Sequence, residues 1–120
     1  MANPWSSFYW RDYVGKTGHL KLEEHGAYLL LMAQYYMTGR PIPANASVLH
    51  RVCRCTTDAD KAAVDAVLAQ FFVLDGDVYR HNRIERELAK ARDISEKRSL
   101  AAKEKHRKTR ANAPANAEQV

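Results

Sequence analysis

The chain has 120 residues, 46% of them hydrophobic, which is room for one domain of about 90 residues and too little for two cores. Its formal charge of +5 is unevenly placed: residues 1–96 hold 12 Lys/Arg against 12 Asp/Glu, so the excess lies beyond Glu96. No run approaches the roughly 20 apolar residues of a membrane helix, and no basic segment followed by an apolar stretch opens the chain. Cys53 and Cys55 lie too close together for an unstrained disulfide. A soluble cytoplasmic protein with reduced thiols, held in a bacterial host cell, is expected.

In chain order, Phe8 to Val14 mixes aromatics with Arg11 and Asp12 and ends at Gly15 and Gly18, which predicts a short helix and a turn. Leu20 to Thr38 is rich in Leu, Ala, Met and Tyr, with Glu23 and Glu24 opposing the positive end of the helix dipole. Its Leu22, Ala27, Leu29, Leu30, Met32, Ala33, Tyr36 and Met37 nearly circle the axis, which predicts a central helix surrounded by protein. Gly39, Pro41 and Pro43 stop it and form a rigid connection. Asn45 or Ser47 then caps a short helix through Arg54, with Val48, Leu49 and Val52 facing inward.

The cluster Thr56, Thr57, Asp58 starts the next helix, with Thr57 and Asp60 at capping-box spacing. Val64, Val67, Leu68 and Phe71 follow the i, i+3, i+4, i+7 pattern of a buried face. Between Phe72 and Arg80 the period changes from helical to extended around Asp75-Gly76, the signature of a β-hairpin. From Asn82 the chain is helical again, with Ile84, Leu88, Ala91 and Ile94 as one apolar stripe. The stripe fades beyond Ile94, and from Ala111 the composition predicts disorder. The expected fold is mainly α with a small β-hairpin, a winged helix-turn-helix with a long C-terminal helix. Residues 1–96 form that domain and residues 97–120 a basic, partly disordered tail.

Pro4-Trp5, Phe8-Tyr9, Asp12-Tyr13, the run from Thr17 to Leu31 and the segment from Arg80 to Leu88 together resemble the YdaU-like family of small phage and prophage proteins. The resemblance covers roughly residues 4–100. It implies a winged-helix domain encoded among replication or early genes, with a role in replication initiation or DNA binding and a basic tail. One departure is Lys21, which stands where a Ser or Thr cap of the central helix is expected.

The charge pattern carries the functional expectation. Lys97, Arg98, Lys103, Lys105, Arg107, Lys108 and Arg110 are opposed by Glu104 alone over that stretch, and such an arm concentrates near polyanions, of which nucleic acid is the commonest. The exposed face of the 58–72 helix offers Asp58, Lys61, Ala62, Asp65, Ala66, Ala69 and Gln70, where only Lys61 and Gln70 donate to base edges and the acids repel phosphates. His50, Arg51 and Arg54 before it, and Arg80, His81, Asn82 and Arg83 after the hairpin, suit backbone contacts better. The bland reading of Arg51 and Arg54 is a solvated face.

Cys-x-Cys near His50 lacks zinc-knuckle spacing and a second pair of ligands, so no metal and no cofactor are expected. His19, Glu23, Glu24 and His25 come without a nucleophile or phosphate loop, which reads as a hydrogen-bonded turn and not as an enzyme. Trp5, Phe8, Tyr9, Trp10 and Tyr13 are expected mostly to close the core, with an exposed subset as a partner surface. Double-stranded DNA is the expected partner. The alternative is an adaptor that recruits a replisome or host protein, with the tail as a tether, and the long last helix also suits a homodimer.

Overall fold

In the computed structural model, which describes residues 8–112 and side chains as far as Thr109, the elements run α1 (Trp10–Thr17), α2 (Leu22–Thr38), β1 (Ile42–Pro43), α3 (Ala46–Val52), α4 (Asp58–Phe71), β2 (Val73–Asp75), β3 (Val78–Arg80) and α5 (Asn82–Asn112). The structure is mainly helical, with a small antiparallel sheet and a long C-terminal helix. The chain divides after Leu88 into two units.

Local chemistry sets most element ends of the first unit. The Asn45 side chain accepts from the Ser47 and Val48 amides at 2.9 and 3.4 Å and so starts α3. The predicted capping box forms at α4: the Asp60 amide donates to Thr57 Oγ1 at 3.1 Å, and Asp60 Oδ2 accepts from the Thr57 amide at 3.2 Å. Half of such a box starts α2, where Glu24 accepts the Lys21 amide at 2.7 Å; the lysine side chain has no acceptor with which to complete it. Gly39 closes α2 in the left-handed conformation, φ 67°, its amide donating to Tyr35 O. Helix α1 passes through Gly15 to Thr17, beyond the expected stop, and buried Thr17 donates to Tyr13 O at 2.5 Å.

The core is built on α2 against α4, joined by Ile42, Leu49, Phe72, Ile84 and Leu88. Val64, Val67 and Leu68 are buried on α4 as their spacing predicts, and each such side chain contributes about 1.5–3 kcal/mol. The expectation for α2 needs correction. The helix is central but not surrounded: Ala27, Tyr28, Leu31 and Tyr35 form one buried stripe, while Leu29, Ala33 and Met37 are exposed and Leu22 is 85% exposed. Two tyrosines belong to that stripe because their hydroxyls have partners. Tyr28 Oη pairs with His81 Nε2 at 2.9 Å, and Tyr35 Oη accepts the His81 amide at 3.3 Å.

The predicted hairpin forms with Val73 opposite Arg80 and Asp75 opposite Val78, so the two loop residues are Gly76 and Asp77. Gly76 supplies φ 64° at the first of them, as a type II′ turn requires. The connection after α2 is more than a rigid linker: Ile42–Pro43 pairs antiparallel with β3 and makes the sheet order β1-β3-β2. Proline lacks an amide hydrogen, which confines Pro43 to an edge strand.

In the second unit α5 continues to Asn112, two residues into the stretch read as disordered; the remainder of that tail lies outside the described residues. Along the stripe predicted for this helix, Ile84 and Leu88 of the first unit are buried, Ala91 is half-buried and Ile94 is exposed. Every residue from Arg92 to Thr109 is exposed. Lys97–Asp93 at 3.1 Å and Arg107–Glu104 at 2.6 Å are pairs one turn apart.

Candidate nucleic-acid interface

The cations predicted to contact DNA fall into two groups once their partners are known. Arg80 follows the hairpin at the end of β3, and there Nε meets Asp75 at 2.7 Å and Nη1 meets Glu85 at 2.6 Å. Both carboxylates hold its guanidinium above the ordinary arginine value. Arg83, in the first turn of α5, bridges Asp12 of α1 at 3.0 Å and Glu87 at 3.2 Å, with its guanidinium 5.9 Å from the Tyr9 ring centre. These two arginines are neutralised within the chain. Gln70 is likewise engaged, its Oε1 accepting from His19 Nε2 at 2.6 Å.

The second group is exposed, and its arginines and lysine before α5 have no ion pair among the described residues. Arg51 lies in the last turn of α3, Arg54 in the turn to α4, and Lys61 on the outer face of α4, while His50 beside them is half-buried. Asp58, Ala62, Asp65 and Ala69 share the outer face of α4 with Lys61, and Ala66 is half-buried. On α5, Arg98, Lys103, Lys105 and Lys108 are exposed without an ion pair, and Lys97 and Arg107 each have one. The side chain of Arg110 lies outside the described residues.

Two thiols flank Arg54. Cys53 is half-buried with Sγ 3.8 Å from Ala27 O, and burial pushes it up to about 12; burial also raises Cys55. Among the described residues no three His, Cys, Asp or Glu side chains gather as a metal set. His19, Glu24 and His25 each bind elsewhere: His19 to Gln70, Glu24 to the Lys21 amide, and His25 Nδ1 to the Tyr13 hydroxyl at 2.8 Å. Glu24 fixes the turn into α2 as expected and His25 ties that helix to α1, whereas His19 reaches across to α4 and Glu23 has no partner among the described residues.

A feature not foreseen in the sequence is a groove of about 580 Å³ between α1, α2 and the start of α5. Tyr28 and Phe71, stacked at 4.4 Å between ring centres, line it together with Leu29, Met32, Met37, Phe8 and Tyr9. The aromatic N-terminus therefore departs from expectation. Phe8, Tyr9 and Trp10 are exposed, Trp10 by 69%, and only Tyr13 packs against the core; Trp5 lies outside the described residues. Helical spacing puts Trp10, Tyr13, Val14 and Thr17 on one i, i+3, i+4, i+7 stripe, yet only Tyr13 and Thr17 are covered by the core, so tertiary packing and not periodicity leaves Trp10 and Val14 exposed.

Most polar groups of the groove are matched inside the protein, Lys16 being an exception among the described residues. Tyr28 Oη meets His81, Tyr36 Oη donates to Glu87, Tyr13 Oη meets His25, and Arg83 holds Asp12 and Glu87. Such a surface offers apolar contact and stacking, with few free hydrogen-bonding groups for a polar guest.

Among the described residues no helix is long and apolar enough to cross a membrane. No solved structure matches this chain. It is 44% identical over 102 residues to the uncharacterized protein YdaU of Escherichia coli strain K12, an alignment that covers 85% of this chain and 35% of that protein. The chain thus spans about a third of the relative's length. The family model described as "Protein of unknown function (DUF1376)" matches residues 4–89, which takes in α1 through the first two turns of α5 and the whole groove. With a family model over most of its length and a relative of this identity, the chain belongs to the DUF1376 family of YdaU-like proteins.

Proposed function

We propose that this protein is a duplex-DNA-binding winged-helix module that acts in phage or prophage replication initiation or early regulation. The order α2-β1-α3-α4-β2-β3 with sheet order β1-β3-β2 supports the winged-helix reading, with α3 and α4 as the helix-turn-helix and β2-β3 as the wing. The observation that carries DNA binding is the exposed cationic length of α5: from Lys97 to Lys108, six bases stand against one acid, on a stretch with no buried side chain. A polyanion is the partner such a surface suits, and its affinity falls with salt because bound phosphates release counterions. The wing contributes little to this, since Asp75 and Asp77 flank its tip and Arg80 is engaged. Specificity on this reading falls to the unit from Asn45 to Gln70, where Lys61 is exposed on the outer face of α4.

The test is fluorescence anisotropy on labelled random and phage-origin duplexes across a salt series, for the full chain and for a chain ending at Glu96. Contact with about five phosphates gives a slope of log K against log salt near −4.5, a loss of roughly 500-fold between 50 and 200 mM. Removing residues 97–120 flattens that slope and weakens binding at low salt more than tenfold. A loss of less than a few fold sinks the role of the arm.

The groove favours a second reading, that of an adaptor for a replisome or host protein. Its exposed Phe8, Tyr9, Leu29 and Met37 form a patch of the kind that protein partners cover, and its mostly matched polar groups suit an apolar guest. Equal, weak binding to every duplex together with a stoichiometric partner that survives high salt would favour it over DNA reading.

A further inference from the structure

The turn between α3 and α4 holds an energetic anomaly. After Val52 and the cap residue Cys53, the chain closes in a Schellman arrangement: the Arg54 amide donates to Arg51 O at 3.2 Å and the Cys55 amide to His50 O at 2.9 Å. This closure needs a left-handed residue at position 54, and Arg54 has φ 55°. Glycine is the usual occupant because a left-handed L-residue brings its Cβ against the following carbonyl oxygen. Among the described residues Arg54 is the one non-glycine with positive φ, whereas Gly39 and Gly76 serve the two comparable positions.

Nothing within the described chain compensates for that choice. The Arg54 side chain is exposed and makes no hydrogen bond or ion pair there. Arg80 and Arg83 are different, each closed by two carboxylates. Proximity to the negative end of α3 is a small gain for an exposed charge, and α3 has only seven residues. Glycine would close the same turn with less strain and leave the contacts of the described residues in place. Strain that the fold does not use points to a partner outside it.

We infer that Arg54 is a phosphate contact of the bound duplex, kept in a strained backbone position so that the helix-turn-helix corner presents a guanidinium, with Arg51 three residues earlier, to the DNA backbone. The inference rests on the duplex-binding reading above and assigns part of its affinity to this corner. A guanidinium suits the role because its planar fork can grip a phosphate through two parallel N–H groups.

The experiment uses the full chain and three forms: wild type, R54G and R54K. Thermal unfolding is followed in 0.5 M salt, which screens the helix dipole, and anisotropy on a fluorescein-labelled 20-base-pair duplex is followed between 50 and 200 mM salt. R54G is expected to raise Tm by about 4 °C, to weaken binding about fivefold at 100 mM, and to flatten the salt slope by about 0.9, the loss of one phosphate. R54K keeps the charge and the strain but loses the fork, so its Tm and salt slope match wild type while its binding lies between wild type and R54G. An R54G protein that is more stable yet binds with unchanged affinity and slope overturns the inference and leaves duplex binding standing. An R54G protein no more stable than wild type also overturns it, because no strain was being kept. A wild-type protein that binds no duplex at all overturns the functional reading itself.

Discussion

His81 joins the sheet to the long helix, and its removal tests how the first unit is held together. The Ile84 amide donates to His81 Nδ1 at 3.3 Å, which fixes the neutral tautomer with the proton on Nε2, and Nε2–H then donates to the buried Tyr28 hydroxyl. The imidazole is thus a side-chain cap of α5 and the partner of a tyrosine that burial lifts to about 12. In a His81→Ala variant the lost cap costs about 1 kcal/mol and the unpaired Tyr28 hydroxyl about 1–3 kcal/mol, so roughly 2–4 kcal/mol in all. That is a large part of the 5–15 kcal/mol that holds a typical domain. His81→Asn restores the cap without the imidazole and is expected to recover about 1 kcal/mol relative to alanine.

The same geometry gives a pH dependence. Burial lowers the His81 pKa first of all, Lys16 of α1 and Arg83 of α5 lower it further, and Glu87 opposes them weakly. A folded value below the unfolded one near 6.5 means that the unfolded chain binds the extra proton. The contribution of His81 is therefore fully present above about pH 6.5 and declines as pH falls toward the folded value, by at most about 1.4 kcal/mol per pH unit. Urea unfolding of wild type and His81→Asn at pH 7.5, 6.5, 5.5 and 5.0 checks this by circular dichroism. Parallel pH profiles for the two proteins, or an alanine variant destabilised by less than about 0.5 kcal/mol, would refute the reasoning.

Two further outcomes are expected. With Cys53 pushed up to about 12, its thiolate fraction at pH 8 is about three orders of magnitude below that of an unperturbed cysteine, so a Cys55→Ser variant should react slowly with a thiol reagent when folded and rapidly in urea. Leu31→Ala removes a fully buried side chain where α2 enters the core and should cost about 2–5 kcal/mol, whereas Leu22→Ala, at an exposed site on the same helix, should stay within about 0.5 kcal/mol in urea titrations.

Which parts of this protein were legible in its residues follows from the range of the forces involved. Asn45, Thr57 and Asp60 announce helix starts because a cap acts on amides two or three residues away, and Gly76 announces the hairpin because its positive φ is a property of one residue. The face of Val64, Val67 and Leu68 and the segregation of charge beyond Glu96 are likewise patterns along the chain. The exposed cations of α5 were readable on those grounds alone.

Tertiary structure decided the rest. Whether a tyrosine is core depends on a hydroxyl partner far along the chain, as with Tyr28 and His81, 53 residues apart, and no local pattern carries that. Strand β1 exists only because β3 lies beside it, since two residues ending in proline make no strand by themselves. Among the predicted DNA contacts, Arg83 left the field because folding brings Asp12 to it across 71 residues, while Arg54 gained weight because the closure of α3 forces its backbone left-handed. Charge, caps and periodicity are local quantities that a sequence states directly; pairing, burial and strain are relations between distant segments, and folding alone creates them.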